Sequence, residues 1–198
     1  MACMMLAASL AAADEQDPTR ALVQTECAHC HGSEGNATPP SFPKLAGLQH
    51  EYLLKQLNDY RYGRRESATM QPIVESLSGS QVQDLADYFS RQRRTIGTPY
   101  LKGMVPLGRR VYHQGDRERG VPACAGCHRP DGGGTDRSPL IAGQNSAYVL
   151  VQLRAFHNDQ RSNDRGQLMR TTAARMTEQE MVAVSEYVAG MDVIPAAP

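Results

Sequence analysis

Two copies of one pattern, Cys-x-x-Cys-His, constrain this chain more than any other feature. They are Cys27-Ala28-His29-Cys30-His31 and Cys124-Ala125-Gly126-Cys127-His128. Two cysteines three positions apart at the end of a helix can present both sulfurs to the two vinyl groups of one haem. The histidine that follows then lies beneath the iron, which is the pattern of c-type haem attachment. The sequence therefore predicts two covalently bound haem c groups.

A zinc site and a thioredoxin-like redox motif are the alternatives for these cysteines. A zinc site would join the two Cys-x-x-Cys pairs, but each pair is followed at once by its own histidine. A thioredoxin-like motif needs a βαβ pattern around it, and neither copy has one. Both alternatives are therefore disfavoured.

The chain contains an internal repeat, because the sequences that follow the two motifs are similar. Tyr52-Leu-Leu-Lys-Gln-Leu57 resembles Tyr148-Val-Leu-Val-Gln-Leu153, and Pro43-Lys-Leu-Ala-Gly47 resembles Pro139-Leu-Ile-Ala-Gly143, both at an offset of 96. We predict two tandem domains, residues 14–97 around haem 1 and residues 98–198 around haem 2. The Gly and Pro residues in 95–100 are typical of a linker.

Both halves are predicted to be helical. Asp17 and Pro18 are typical of a helix start, and Ser78 with Gln81 and Thr177 with Glu180 resemble capping boxes. Apolar residues recur at helical spacing after each of these signals, whereas strand signals are nearly absent. The predicted fold class is therefore all-α.

The repeat register selects a methionine in each half as the second axial ligand. Met70 lies seven residues before Leu77, which precedes one capping box, and Met169 lies seven residues before Met176, which precedes the other. Met70 and Met169 therefore occupy equivalent positions, and we predict the iron ligand pairs His31 with Met70 and His128 with Met169. Met181 and Met191 fall on or after the last helix and are expected in the core or the tail.

Histidine is the competing axial ligand. His29 lies inside the first motif. His50 and His157 are not shared between the repeats, so surface or hydrogen-bonding roles are expected for them, and His113 precedes the second motif in a segment that the first half does not duplicate. A thioether ligand favours ferrous iron, and an iron with both axial positions filled has no place for a substrate. Outer-sphere electron transfer is the expected chemistry, and no catalytic residue is expected.

Two further groups carry weaker signals. Pro43 and Pro139 follow the two ligand histidines by about a dozen residues, so a backbone carbonyl there could accept the Nδ1 proton. Five arginines precede the ligand methionines, where they could pair with haem propionates, dock an acidic partner or simply be solvated. They are Arg61, Arg64, Arg65, Arg161 and Arg165.

The start of the chain is predicted to be a signal peptide remnant, residues 1–13. It is apolar and ends in Ala11-Ala12-Ala13, a small-residue cleavage site. Cys3 lies inside it, with too few residues before it for a lipoprotein signal.

The 21 basic and 21 acidic residues balance, which gives no basic excess for nucleic acid. Four ionised propionates would make the loaded protein acidic overall.

These motifs, taken in their order, resemble the cytochrome c4 family of dihaem class I c-type cytochromes. The resemblance also covers the local segments Gly120-Val-Pro-Ala-Cys124 and Asn163-Asp164. It implies a location in the periplasm with peripheral association to the inner membrane. It implies two domains about a pseudo-twofold axis, and electron delivery to a terminal oxidase or a related acceptor.

Three functions compete. The first is a free electron shuttle whose redox partners are a quinol-oxidising complex or dehydrogenase on one side and a terminal oxidase on the other. The second is a dihaem cytochrome subunit that accepts electrons from a partner dehydrogenase. The third is a dihaem enzyme, a peroxidase or thiosulfate dehydrogenase, which the matched methionines disfavour because such enzymes need a vacant or unusual axial position.

Overall fold

The computed structural model describes residues 17–192. The predicted signal remnant, with Cys3, lies outside the described residues. Within that range the chain is helical, and its only β interaction is an isolated antiparallel bridge between Asp116 and Val121. The all-α prediction is confirmed.

The first half begins with a helix that runs directly into the first motif. Asp17 caps it by accepting a hydrogen bond from the Thr19 N–H at 2.9 Å, and Pro18 occupies its first position. Later, Ser78 and Gln81 form the predicted capping box. The elements are α1 (Pro18–Leu22), one π-helical turn (Val23–Cys27), α2 (Ala28–His31), α3 (His50–Arg61), α4 (Met70–Glu75) and α5 (Gly79–Ser90).

The second half repeats this order, but a loop that contains the Asp116–Val121 bridge separates its first helix from its motif. Thr177 and Glu180 form the second predicted capping box. The elements are a 3₁₀ turn (Lys102–Met104), α6 (Val105–Gln114), α7 (Ala125–His128), α8 (Ser146–His157), a 3₁₀ turn (Arg165–Gln167), α9 (Leu168–Ala173) and α10 (Glu178–Ala189).

Equivalent helices pack together in the two halves. In the first half, α3 packs against α4 and α5, and α1 packs against α5. In the second half, α8 packs against α9 and α10, and α6 packs against α10. Gly108 on α6 allows the last of these contacts, because a Cβ there would lie only 2.0 Å from Ala183 O. Each half thus surrounds its motif with the same helical frame.

Side-chain amides join the two halves next to their motifs. Gln144 accepts a hydrogen bond from the Lys44 N–H at 2.7 Å and donates to Lys44 O at 2.9 Å. In the opposite direction, Gln49 accepts from the Leu140 N–H at 3.0 Å. Lys44 and Leu140 follow the two repeat prolines, so each half holds the other half's proline loop.

Peripheral association with a membrane, as the resemblance implies, requires no membrane-spanning helix. No helix within residues 17–192 is long and apolar enough to cross a bilayer.

Candidate functional site

The first motif contains a buried imidazole with one ring nitrogen already hydrogen-bonded. His31 ends α2 and is 7% exposed, and its Nδ1 lies 2.9 Å from Pro43 O. A carbonyl only accepts, so Nδ1 carries the proton and Nε2 keeps its lone pair for a metal. Burial lowers the pKa of His31, against the opposing hydrogen bond to Pro43, so the ring is neutral as ligation requires.

The second motif has the same geometry. His128 ends α7 and is 8% exposed, and its Nδ1 donates to Pro139 O, also at 2.9 Å. Burial likewise lowers its pKa. The expected carbonyl acceptors at Pro43 and Pro139 are both confirmed.

None of the four motif cysteines forms a disulfide within residues 17–192, and they are half-buried except for the exposed Cys127. Burial raises the pKa of Cys27 to about 11, with help from the Glu26 charge, and burial raises that of Cys124 to about 11. No cluster of three or more His, Cys, Asp or Glu within residues 17–192 could hold a metal ion. The zinc alternative gains no support.

The two predicted methionine ligands begin equivalent short helices. Met70 is the first residue of α4 and Met169 the second residue of α9, and both are half-buried. Met176, Met181 and Met191 are instead buried in the core at 4%, 3% and 8% exposure. A partly accessible methionine therefore lies at the matched position in each half, whereas Met104, also half-buried, precedes the second motif in the turn Lys102–Met104.

The competing histidines have other partners. His50 contacts Glu51, and His113 lies 2.9 Å from the hydroxyl of Tyr187. His157 donates from Nδ1 to Ala173 O at 2.8 Å. The contacts of His50 and His157 match the hydrogen-bonding roles expected for these two.

The five arginines separate into two groups. Arg65 and Arg161 are buried between the halves, at 7% and 8% exposure, so they cannot dock a partner at the surface. The others lie outside this boundary. Arg61 binds carbonyls of its own half, Arg64 pairs with Asp59, and Arg165 is exposed.

Arg65 and Arg161 form a reciprocal network. Arg65 donates to Gln56 Oε1 of its own half at 2.7 Å, and to Gln152 Oε1 and the Tyr148 hydroxyl of the other half at 2.8 and 2.9 Å. Arg161 mirrors it, with 2.8 Å to its own Gln152, 3.1 Å to Gln56 and 3.2 Å to the Tyr52 hydroxyl. In the sequence these tyrosines and glutamines mark the repeat, but the pattern predicted no role for them.

The network is cationic, and no carboxylate is hydrogen-bonded to either guanidinium within the described residues. Burial raises the pKa of the Tyr52 hydroxyl, but the Arg161 and Arg65 charges outweigh it and leave that pKa below its ordinary value. Buried charges need counter-charges. The propionates of haem would supply them.

The residues present therefore fit haem. Each half offers a cysteine pair, a neutral buried histidine with a free Nε2, and an accessible thioether, the donor set of a His–Met c-type site. The uncompensated cations fit the carboxylates of the same group.

Comparison with known proteins supports this interpretation. The family model for cytochrome c matches residues 106–192, and the model for subunit III of cbb3-type cytochrome c oxidase matches residues 14–89. A cytochrome c4 from Thiocapsa roseopersicina is 39% identical over 83% of this chain and 86% of its own. A thiosulfate dehydrogenase electron acceptor from Thiomonas intermedia is 36% identical, over 85% and 80% of the two chains.

The fold is also that of a solved relative. The crystal structure of reduced cytochrome c4 from Pseudomonas stutzeri superposes with a TM-score of 0.83 at 35% identity. The match covers 88% of this chain and 97% of that one. Two cytochrome c domains in tandem are thus confirmed, and the domain limits at 14–97 and 98–198 stay a prediction.

Proposed function

Because the chain belongs to the cytochrome c4 family, a family of electron carriers with two covalent haem c groups, we propose that it carries electrons in the periplasm. Its donors would be a quinol-oxidising complex or a dehydrogenase, and its acceptor a terminal oxidase or a similar complex. We propose thioether links at Cys27, Cys30, Cys124 and Cys127. The proposed ligand pairs are His31 with Met70 and His128 with Met169.

One observation carries this proposal: each half holds a buried histidine whose Nδ1 is fixed by a proline carbonyl, and an accessible methionine at the matched position. Bound haem iron supplies the one-electron chemistry. The chain's own part is to fix the ligand atoms and exclude water, so that both oxidation states keep the same coordination. Two filled axial positions leave no site for a substrate, which favours a carrier over an enzyme.

Ligand variants test the axial assignments. Met70→Ala and Met169→Ala should each open one iron, so that one haem becomes high-spin in the oxidised protein and its reduction potential falls. Met181→Leu is the matched control, because Met181 is 3% exposed in the core and should leave both haems low-spin. An unchanged spectrum and unchanged potentials for Met169→Ala would refute the ligand assignment in the second half.

A second function has a specific observation in its favour. The similarity to a protein named as a thiosulfate dehydrogenase electron acceptor supports a dihaem subunit that receives electrons from a partner dehydrogenase. Purification from the native source at low ionic strength separates the two proposals. A dehydrogenase that copurifies in stoichiometric amount would favour the subunit, whereas isolation of the cytochrome alone would favour the free shuttle.

Localisation is tested independently by cell fractionation. For a peripheral periplasmic carrier, we expect a haem-staining protein of this mass in the periplasmic fraction. A part of it should stay with the membranes until a salt wash releases it. Recovery only in the cytosolic fraction would contradict it.

A further inference from the structure

The helix that carries each proposed methionine ligand is bound by the last residue of the preceding long helix. In the first half that residue is Arg61, at the end of α3, and in the second it is His157, at the end of α8. The two positions are equivalent, since the repeat offset of 96 converts 61 into 157. The residue types differ, so the sequence repeat did not reveal the equivalence in function.

The two side chains bind backbone carbonyls at equivalent positions of the two methionine helices. Arg61 Nη2 donates to Val74 O at 3.0 Å, and His157 Nδ1 donates to Ala173 O at 2.8 Å. Val74 lies four residues after Met70, and Ala173 lies four residues after Met169. Arg61 also donates to Leu77 O at 2.7 Å, a second bond that His157 does not have.

The acceptors sit in matching surroundings. Val74 and Ala173 are both fully buried. Each carbonyl also accepts a backbone hydrogen bond from three residues further on, from the Leu77 N–H at 3.2 Å and from the Met176 N–H at 3.0 Å. The side chain therefore binds the turn that ends the methionine helix, in both halves.

These helices need external support. α4 and α9 have six residues each, and helices this short are not stable by themselves in water. At its N-terminal side the methionine segment is held by Ser67, which accepts from the Met70 N–H at 3.1 Å, and by Asp164, which accepts from the Arg170 N–H at 3.1 Å. Arg61 and His157 supply the anchor at the opposite end.

We propose that Arg61 and His157 are positioning residues that hold the methionine helices in place and so keep each thioether on its iron. This inference rests on the proposed His–Met ligation. Its consequence is a difference between the haems, because Arg61 holds its helix with a permanent charge and two bonds, whereas His157 holds the other with one.

The test measures how readily an external ligand displaces each methionine. Imidazole is titrated into the oxidised holoprotein, and proton NMR of the same oxidised protein follows the methionine methyl signals, which the paramagnetic iron shifts far outside the usual range. Met70→Ala and Met169→Ala assign each signal to a haem. Arg61→Leu should raise the imidazole affinity of haem 1 by roughly tenfold or more. His157→Leu should raise the imidazole affinity of haem 2 by only a few-fold, because hydrogen bonds from charged donors are the stronger ones.

The chain offers its own rescue and control variants. Arg61→His and His157→Arg exchange the two residue types. His157→Arg should leave the imidazole affinity of haem 2 at the wild-type value, and Arg61→His should raise that of haem 1 by less than Arg61→Leu does. Arg64→Leu and His113→Leu remove the same residue types from positions that bind Asp59 and Tyr187 instead, and should change neither affinity.

The outcomes separate the two proposals. If Met70→Ala opens haem 1 but Arg61→Leu and His157→Leu match their controls, the positioning role is refuted and the ligation stands. If Met70→Ala leaves haem 1 unchanged, the ligation itself is wrong. If Arg61→Leu lowers thermal stability while both imidazole affinities stay at wild type, Arg61 is merely structural and the inference is also overturned.

Discussion

The bond between Arg65 and Tyr148 allows a quantitative test of how the two halves are held together. Tyr148→Phe removes only the hydroxyl, which accepts from Arg65 Nη2 at 2.9 Å across the boundary. The ring stays, so no cavity forms. Arg65 is 7% exposed, and one N–H of its guanidinium would lose its partner in a nearly dry environment.

The magnitude follows from that burial. A buried donor left without a partner costs ~1–3 kcal/mol, towards the upper end for charged groups, so we expect a loss of about 2 kcal/mol. For a chain of this size that corresponds to a fall in Tm of about 4–8 °C. Tyr52→Phe is the symmetry-matched variant, and because its bond to Arg161 is longer at 3.2 Å, it should cost about 1 kcal/mol.

The assay is denaturant unfolding of the haem-loaded protein, followed in parallel by circular dichroism and haem absorbance. Tyr100→Phe, at a side chain 69% exposed, is the control and should stay within about 0.5 kcal/mol of wild type. A double-mutant cycle with Arg65→Met should give a coupling of ~1–2 kcal/mol. A loss below about 0.5 kcal/mol for Tyr148→Phe, or no coupling to Arg65, would refute the reasoning.

Three further predictions concern packing, pH and haem content. Gly108→Ala should destabilise the second half by about 3 kcal/mol in denaturant unfolding, because its Cβ would lie 2.0 Å from Ala183 O, whereas Gly79→Ala, with open space around it, should be neutral. Burial, and then the Arg94 charge, lowers the pKa of Lys44 from 10.5 to about 8. Between these values the folded chain binds fewer protons than the unfolded chain, so wild type should gain stability relative to Lys44→Met as pH rises through this window. A stability difference that is constant from pH 7 to 10.5 would contradict this. Replacing both Cys124 and Cys127 by Ala should leave one covalent haem per chain by the pyridine haemochrome assay, and two remaining haems would show that the second motif is not an attachment site.

Local signals predicted the frame of each half well. The capping boxes at Ser78 and Thr177 and the carbonyl acceptors at Pro43 and Pro139 are all present in the structure. These features depend on residues close in sequence or on a fixed distance from the motif histidine. Such relations survive in each half separately, so one chain with a repeat is enough to find them.

Contacts between the halves could not be predicted in the same way. The bonds from Arg65 to Tyr148 and from Arg161 to Tyr52 span 83 and 109 residues. A repeat shows that two positions are equivalent, but it does not show that they meet. The tyrosines and the glutamines that accompany them were visible only as markers of one helix face, because their partners lie in the other half.

Where equivalent positions hold different residue types, the sequence did not predict the conformation or the role that they share. Gly63 and Asp159 share a left-handed backbone, with φ of 66° and 56°, at the same point after α3 and α8. Glycine signals such a helix end in sequence, whereas aspartate, which tolerates this conformation less well, does not. Arg61 and His157 also align in the repeat, but because their residue types differ, the alignment did not predict a shared role for them.

The differences within the repeat determine where the two haem sites can diverge. Lys44 is buried beside the carbonyl that fixes His31, and its equivalent beside His128 is the apolar Leu140. Asp59 binds Lys55, Arg64 and Asn163, whereas its own equivalent is Ala155. The histidine hydrogen bonds are the same in both halves, so with the proposed ligand pairs the surrounding charge would distinguish the sites. With the ligand pairs proposed above, two copies of one domain would hold their irons at different potentials without any change of ligand, through the charged residues that are present in only one half.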